Sequence, residues 1–316
     1  MVLMARSNNL SELILSFLEY LEIEKNRSPL TIRNYHQYLN QLLEFLKKKK
    51  PSPALLDITP ENIRAFRKSL SSKKTLGGSY LKKKTQGYYM IAFRSFLRWL
   101  IRNDYEVLSP DKIELPRGEK SGVKFLTPQE TEKLLNQPTI SKVIGLRDKA
   151  ILELLFSSGL RVSELTALNR DQINLKSREV GVIGKGGKQR VVFISHRARK
   201  WLERYLVTRS DHYRPLFIRY SGKKTDPSTK GESLRLGVRS IQRMVEKYRR
   251  KAGLVVKVTP HVLRHSFATD LLSQGADLRS VQELLGHQNV ATTQIYTHVT
   301  DKRLREVHDK YHSGNK

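Results

Sequence analysis

No cysteine occurs among the 316 residues, which excludes a disulfide framework, a thiolate nucleophile and any cysteine-ligated zinc or iron–sulfur centre. That absence fits a reducing compartment. No apolar run approaches the roughly 18 residues of a membrane span. The first 16 residues lack the long apolar core and small-residue cleavage site of a secretory leader, so a cytoplasmic protein is expected. The string Gly184-Lys185-Gly186-Gly187-Lys188 has neither the spacing nor the following Ser or Thr of a nucleotide-binding phosphate loop. Acidic residues are few: 30 face 59 lysines and arginines, a net charge of +29. A surplus of that size repels itself and is relieved most simply by a polyanion. Nucleic-acid-processing, ribosomal and membrane-surface proteins remain; metabolic enzymes of ordinary charge balance do not fit.

Hydrophobic residues make up 38% of the chain at a mean hydropathy of −0.50, enough for packed cores in two domains. Leu10, Leu13, Ile14, Phe17, Leu18 and Leu21 fall at helical spacing. Ser28-Pro29 opens a second helix through Tyr35, Leu39, Leu42, Leu43 and Phe45, ended by Pro51. Thr59-Pro60-Glu61 opens a third to about Lys73, and a fourth runs from Lys82 to Asn103 with Tyr88, Ile91, Phe93, Phe96, Leu97 and Leu100 as its apolar positions. The period then lapses through Pro110, Pro116, Gly118 and Gly122, the composition of an exposed linker. Beyond it, helices are expected at 127–136, 146–158, 196–209, 238–251, 259–274, 278–285, 291–299 and 301–312. The β-branched runs 179–183 and 190–194 flank a basic hairpin tip, and 221–237 reads as a mobile polar loop. The fold class is therefore mainly α with a small β-hairpin. A four-helix domain spans 1–105, a linker 106–122, a mixed α/β domain 123–300 and a terminal segment 301–316.

The second half holds polar groups that a packed helical domain does not need. Arg161 precedes Glu164 by one turn, Lys185 lies at the hairpin tip, His261 and Arg264 stand three apart on one helix face, His287 follows a helix end, and Tyr296 lies beyond. Taken singly, most have ordinary readings. Arg161 suits a cap or surface, Lys185 a hairpin, and His265 a satisfied structural histidine. Together they form a cationic pocket with one phenol, suited to a phosphodiester under in-line displacement. Guanidiniums meet the non-bridging oxygens in pairs and stay charged. Cationic neighbours or a base activate a tyrosine whose free pKa is about 10. A lysine can protonate the leaving oxygen and a histidine can relay a proton. The arginines perform the charge neutralisation that a divalent ion performs elsewhere.

The stretches Gly159-Leu160-Arg161-Val162-Ser163-Glu164-Leu165, Gly184 to Lys188, His261-Val262-Leu263-Arg264-His265 and Leu284-Leu285-Gly286-His287, followed by Thr292 to His298 around Tyr296, resemble the tyrosine site-specific recombinases, closest to the Xer-type and phage-integrase branch. This resemblance is strong over 123–300 and looser over the N-terminal helices, which look like that family's core-binding domain. It implies a tyrosine recombinase-type catalytic domain with Tyr296 as nucleophile, forming a 3′-phosphotyrosyl bond. Arg161 and Arg264 would clamp the scissile phosphate, Lys185 would be the general acid, His261 would assist proton transfer, and His287 would hydrogen-bond the phosphate. Glu164 would orient the Arg161 region, and Lys188 competes with Lys185 as the acid. No metal or nucleotide is required. The partners implied are double-stranded DNA carrying a specific site, further copies of the chain in a tetramer on two duplexes, and a second recombinase or accessory protein. The segment 301–316 is expected either to dock on a neighbouring protomer or to pack on its own domain. A type IB-like topoisomerase, an inactive DNA-binding protein and a metal-dependent nuclease are the rival readings.

Overall fold

The computed structural model describes residues 8–75, 77–116, 124–184, 187, 189–222 and 227–286. The chain divides into two compact units, Met1–Ser121 and Gly122–Lys316.

In the first unit, α1 (Leu10–Ile23), α2 (Pro29–Lys47), α3 (Pro60–Ser71) and α4 (Lys83–Arg102) pack around α4. Side chains cap the first three starts. Asn9 accepts from the Ser11 amide, Ser28 from Thr31 and Thr59 from Asn62, with proline in the first turn of α2 and α3. All six apolar positions read in α1 are buried. In α4 the expected positions Phe93, Phe96, Leu97 and Leu100 are buried, but the first turns depart from the expectation. Tyr88 and Ile91 are each 43% exposed, while Tyr89 and Met90 are 5% and 1% exposed. An almost unbroken apolar stretch from 88 to 93 leaves the period ambiguous, and packing on α2 and α3 selects the face. The expected linker also begins inside this unit. Pro110 sits in a short 3₁₀ turn and is buried, Ile113 is 1% exposed, and Tyr105, Val107 and Leu108 pack on the same core. An irregular segment can bury apolar side chains without showing a period.

The second unit contains α5 (Pro128–Leu135), α6 (Val143–Ser158), α7 (Val162–Ala167), the antiparallel strands β1 (Ile173–Asn174), β2 (Glu179–Ile183) and β3 (Gln189–Phe193), then α8 (His196–Val207), α9 (Val238–Lys251), α10 (Pro260–Gln274) and α11 (Leu278–Leu285). A reciprocal capping box starts α5. Thr127 Oγ1 accepts from the Glu130 amide at 3.2 Å and Glu130 Oε2 from the Thr127 amide at 2.9 Å. The central helix is α6, buried on nearly every side and packed against α5, α8, α10 and β3. It therefore buries charge, and each charge has a partner. Lys149 and Glu153, 3% and 2% exposed, pair at 2.9 Å, and Arg147 forks onto Asp148.

In the sheet, Val180 pairs with Val192 and Val182 with Arg190. That register turns Val180, Val182 and Val192 inward and leaves Ile183, Val191 and Phe193 more than half exposed. Arg190 shares the inward face. Neither β1 nor α7 was expected from sequence, both being too short to display a period. Nor is the expected polar loop loose over 227–237. It carries two 3₁₀ turns, buries Leu236, and Arg235 donates to the carbonyls of Thr166 and Leu168 at 3.1 and 2.9 Å. The expected helices 291–299 and 301–312 lie outside the described residues. Among the described residues, no helix is long and apolar enough to cross a membrane.

Candidate active site

The site is built at two helix ends. Gly159 closes α6 with φ +60°, a left-handed turn that an alanine would strain. The turn delivers Arg161 to the start of α7, where the Glu164 carboxylate takes its backbone N–H at 2.9 Å. A second left-handed glycine, Gly286 with φ +62°, closes α11. Arg264 reaches between these two ends from α10, whose start is set by Thr259 and Pro260. It is 2% exposed, and its guanidinium donates from Nη1 to the Gly159 carbonyl and from Nη2 to the Leu285 carbonyl, both at 2.6 Å. A buried cation on two helix-terminal carbonyls is matched by the negative ends of both dipoles. Arg161 Nη2 donates to the next carbonyl, Gly286 O, at 3.2 Å, while its Nη1 donates to Glu164 Oε1 at 2.9 Å. Two guanidiniums thus occupy consecutive carbonyls at the end of α11, and the Arg161 side chain remains 34% exposed.

His261 lies one turn before Arg264 on α10. Partial desolvation first, then the positive charges of Arg264 and Arg161, hold its pKa below the ordinary histidine value. His265 stacks edge-on against it. Burial, His261 and Arg264 push its pKa down to about 4. Both rings are neutral near pH 7, so neither adds positive charge where two arginines already sit.

Glu164 holds the site together in a way its sequence position only hinted at. Its side chain is 4% exposed and carries Arg161 and, from β3, Arg190. Arg190 Nη1 meets Oε1 at 2.8 Å and Nη2 meets Oε2 at 2.9 Å. Burial alone would raise the Glu164 pKa, but hydrogen bonds from Arg190 and from the Arg161 backbone outweigh it and hold the carboxylate ionised. The one sequence signal for Arg190 was its place at the end of a basic hairpin string.

Of the six residues singled out from sequence, the structure brings Arg161, His261 and Arg264 together. Lys185, His287 and Tyr296 lie outside the described residues, as does Lys188. In sequence, His287 directly follows the carbonyl that Arg161 holds, and Lys185 belongs to the hairpin whose third strand carries Arg190.

A second cationic surface runs along α9. Arg239, Arg243 and Lys247, four residues apart, are exposed on one face and line an open concavity with Gln242, Glu246 and Arg250. Glu246 is engaged by Arg249 and Arg250. Arg239, Arg243 and Lys247 therefore have no carboxylate in ion-pair range among the described residues. The lysine run 47–50 is more tied down. Lys47 pairs with Glu44, Lys50 with Asp57, and Lys49 donates to Asn62. Lys82, Lys83 and Lys84 are exposed.

Comparison with known proteins adds a further set of findings. Residues 124–303 match the family described as "Phage integrase family", and residues 14–104 match "Phage integrase, N-terminal SAM-like domain". The chain is 38% identical to Tyrosine recombinase XerC of Thermodesulfovibrio yellowstonii, covering 96% of this chain and 97% of that one. It is 36% identical to Tyrosine recombinase XerC of Chlamydia muridarum, with 95% and 97% covered. Among solved structures, the XerA recombinase is similar at a TM-score of 0.51 and 31% identity, with 96% of this chain and 99% of that chain covered. The XerH site-specific recombinase in a post-cleavage complex with palindromic difH substrate is similar at 0.69 and 23% identity, with 96% and 85% covered, a likeness of fold.

Proposed function

This chain belongs to the phage integrase family and is a site-specific tyrosine recombinase, an enzyme that breaks and rejoins DNA; from that premise we propose that Tyr296 cuts the strand while Arg161 and Arg264 hold the scissile phosphate. The observation that carries this reading is the pair of guanidiniums on the consecutive carbonyls of Leu285 and Gly286, directly before His287 in the chain. Helix-end carbonyls orient the two arginines, and guanidinium N–H groups are the donors suited to a phosphate's non-bridging oxygens.

In the proposed step the Tyr296 oxygen attacks phosphorus, the bond from phosphorus to the 5′ oxygen breaks, and a 3′-phosphotyrosyl ester forms. His261, neutral near pH 7, takes the phenolic proton. Lys185 protonates the departing 5′ oxygen, and His287 hydrogen-bonds the phosphate. A partner strand's 5′ hydroxyl then attacks the phosphotyrosyl ester, restoring a phosphodiester and the phenol. One ester replaces another at each step, so no nucleotide hydrolysis is needed. The two arginines supply the neutralising charge, and cleavage is expected to survive EDTA.

DNA is the substrate, and the exposed cations of α9 are proposed to lie along its backbone, where phosphate contacts dominate affinity. The full-length likeness to proteins named XerC supports an Xer-type role in resolving chromosome dimers, acting in the cytoplasm on nucleoid DNA. The assembly proposed is a tetramer on two duplexes, with residues 301–316 docking between protomers. The deciding experiment uses a suicide duplex nicked near the crossover. The native chain is expected to form a covalent protein–DNA adduct and Tyr296→Phe none. Equal adducts from both would remove Tyr296 from the role.

A further inference from the structure

Arg190 is not among the six positions assigned to the chemistry, yet three elements of the site meet on its side chain. We propose that Arg190 is a positioning residue for strand cleavage: by clamping Glu164 it sets the orientation of the Arg161 guanidinium at the end of α11. This rests on the reading of Arg161 as a phosphate-holding group.

The strand register places Arg190 on the inward face of β3, opposite Val182. There its guanidinium forms a two-bond fork onto both oxygens of Glu164, at 2.8 and 2.9 Å. Each of those oxygens also accepts from Arg161, Oε1 from the side chain and Oε2 from the backbone N–H. One carboxylate is therefore shared by two guanidiniums. Without Arg190, its whole negative charge would fall to Arg161. That guanidinium would be drawn onto Glu164 and away from the Gly286 carbonyl, its longer contact at 3.2 Å. With Arg190 in place the cluster keeps a net positive charge facing the phosphate site.

The far side of Arg190 is equally constrained. A Cβ at residue 286 would stand 2.9 Å from Arg190 Nε and 3.2 Å from Cζ, so the guanidinium is wedged between Glu164 and a backbone that only glycine keeps out of its way. Its Nε is buried and has no hydrogen-bond partner among the described residues. The side chain thus gives up one donor to keep both Nη groups on Glu164. It ties α7, β3 and the end of α11 to one another, and β3 closes the hairpin that bears Lys185 in sequence.

The test is single-turnover cleavage of the nicked suicide duplex by the full chain at saturating protein, with DNA affinity measured in parallel by fluorescence anisotropy. Arg190→Met is expected to slow cleavage by about 10- to 100-fold, the usual effect of a small misplacement, with affinity changed by less than about threefold. Arg190→Lys should recover part of the rate. A purely structural role would cost the same factor whatever stands at 161. A role exerted through Arg161 predicts that on an Arg161→Lys background the Arg190→Met change costs less than about threefold. A native rate for Arg190→Met, or equal cost on both backgrounds, overturns the proposal. Should Arg190→Met fail to fold, the same cycle is run with Arg190→Lys and judged by the same two outcomes. The parent reading fails separately, if the native chain itself forms no Tyr296-dependent adduct.

Discussion

His261 and His265 stand edge to face, their ring centroids 4.3 Å apart on one side of α10. Two rings at that distance beside Arg264 are not both imidazolium, and burial, His261 and Arg264 push the pKa of the inner one, His265, down to about 4. Because its folded pKa lies below the ordinary 6.5, the unfolded chain binds more protons between those values. Stability is therefore full above pH 6.5 and falls as the pH drops toward 4. The loss from this group reaches at most about 3 kcal/mol. Urea melts at pH 7 and 4.5 should show a smaller decrease for His265→Gln than for the native chain. Equal decreases would mean that His265 does not titrate this way.

For His261 the same sign applies to the reaction. Its pKa is also lowered, so a proton-accepting role survives to more acidic conditions than a free histidine allows. Single-turnover cleavage is expected to hold level from pH 8 to below 6.5 before falling, and His261→Ala to remove that acid limb. A break at or above pH 6.5 would count against His261 as the acceptor.

Gly159→Ala tests the α6 turn that carries one of Arg264's two carbonyls. The residue has φ +60°, and a Cβ there would stand 2.5 Å from Phe267 Cδ1 and 3.0 Å from Leu285 Cδ2. Left-handed strain plus overpacking should cost about 2–4 kcal/mol, a fall in melting temperature on the order of 10 °C for a unit of this size. Cleavage should fall further than DNA binding, because the Arg264 anchor moves with the turn. An unchanged melting temperature would show that the turn can relax.

The α9 surface predicts a salt effect. Replacing Arg239, Arg243 and Lys247 together by Ala should reduce the slope of log affinity against log salt by about 0.9 for each phosphate that the protein no longer neutralises. Their exposure means thermal stability should barely change. An unaltered slope would separate this face from DNA.

Glu153→Gln should be costly away from the chemistry. It leaves Lys149, 3% exposed, as a buried charge held by the Leu135 carbonyl, Asn136 Oδ1 and the face of Trp201, without a counter-charge at 153. A loss of about 3–5 kcal/mol is expected in chemical denaturation, part of it recovered when Lys149→Met removes the charge as well. No recovery in the double variant would place the cost elsewhere.

The sequence pattern was legible wherever one face of a long helix is apolar and the other polar, as in α1, where every expected position is buried. It misled where apolar residues surround the axis, as at Tyr88 and Ile91 in α4. It was silent for irregular or very short segments such as Ile113 and α7. In the site, Arg161, His261 and Arg264, which the structure brings together, were singled out from residue type, order and family resemblance. The clamp on Glu164 was not, since Arg190 lies 26 positions away and looks like one more cation in a basic hairpin.

What the amino-acid order determined by itself was the chemistry on offer: an excess of positive charge, no thiol, guanidiniums, imidazoles and one phenol in a recognisable succession. Tertiary structure alone decided which carbonyls and carboxylate orient the two guanidiniums of Arg161 and Arg264. Arg264 meets Gly159 across 105 positions and Arg161 meets Gly286 across 125. Hydrogen bonds act over about 3 Å of space, and separation along the chain carries no information about that distance until the helices have packed.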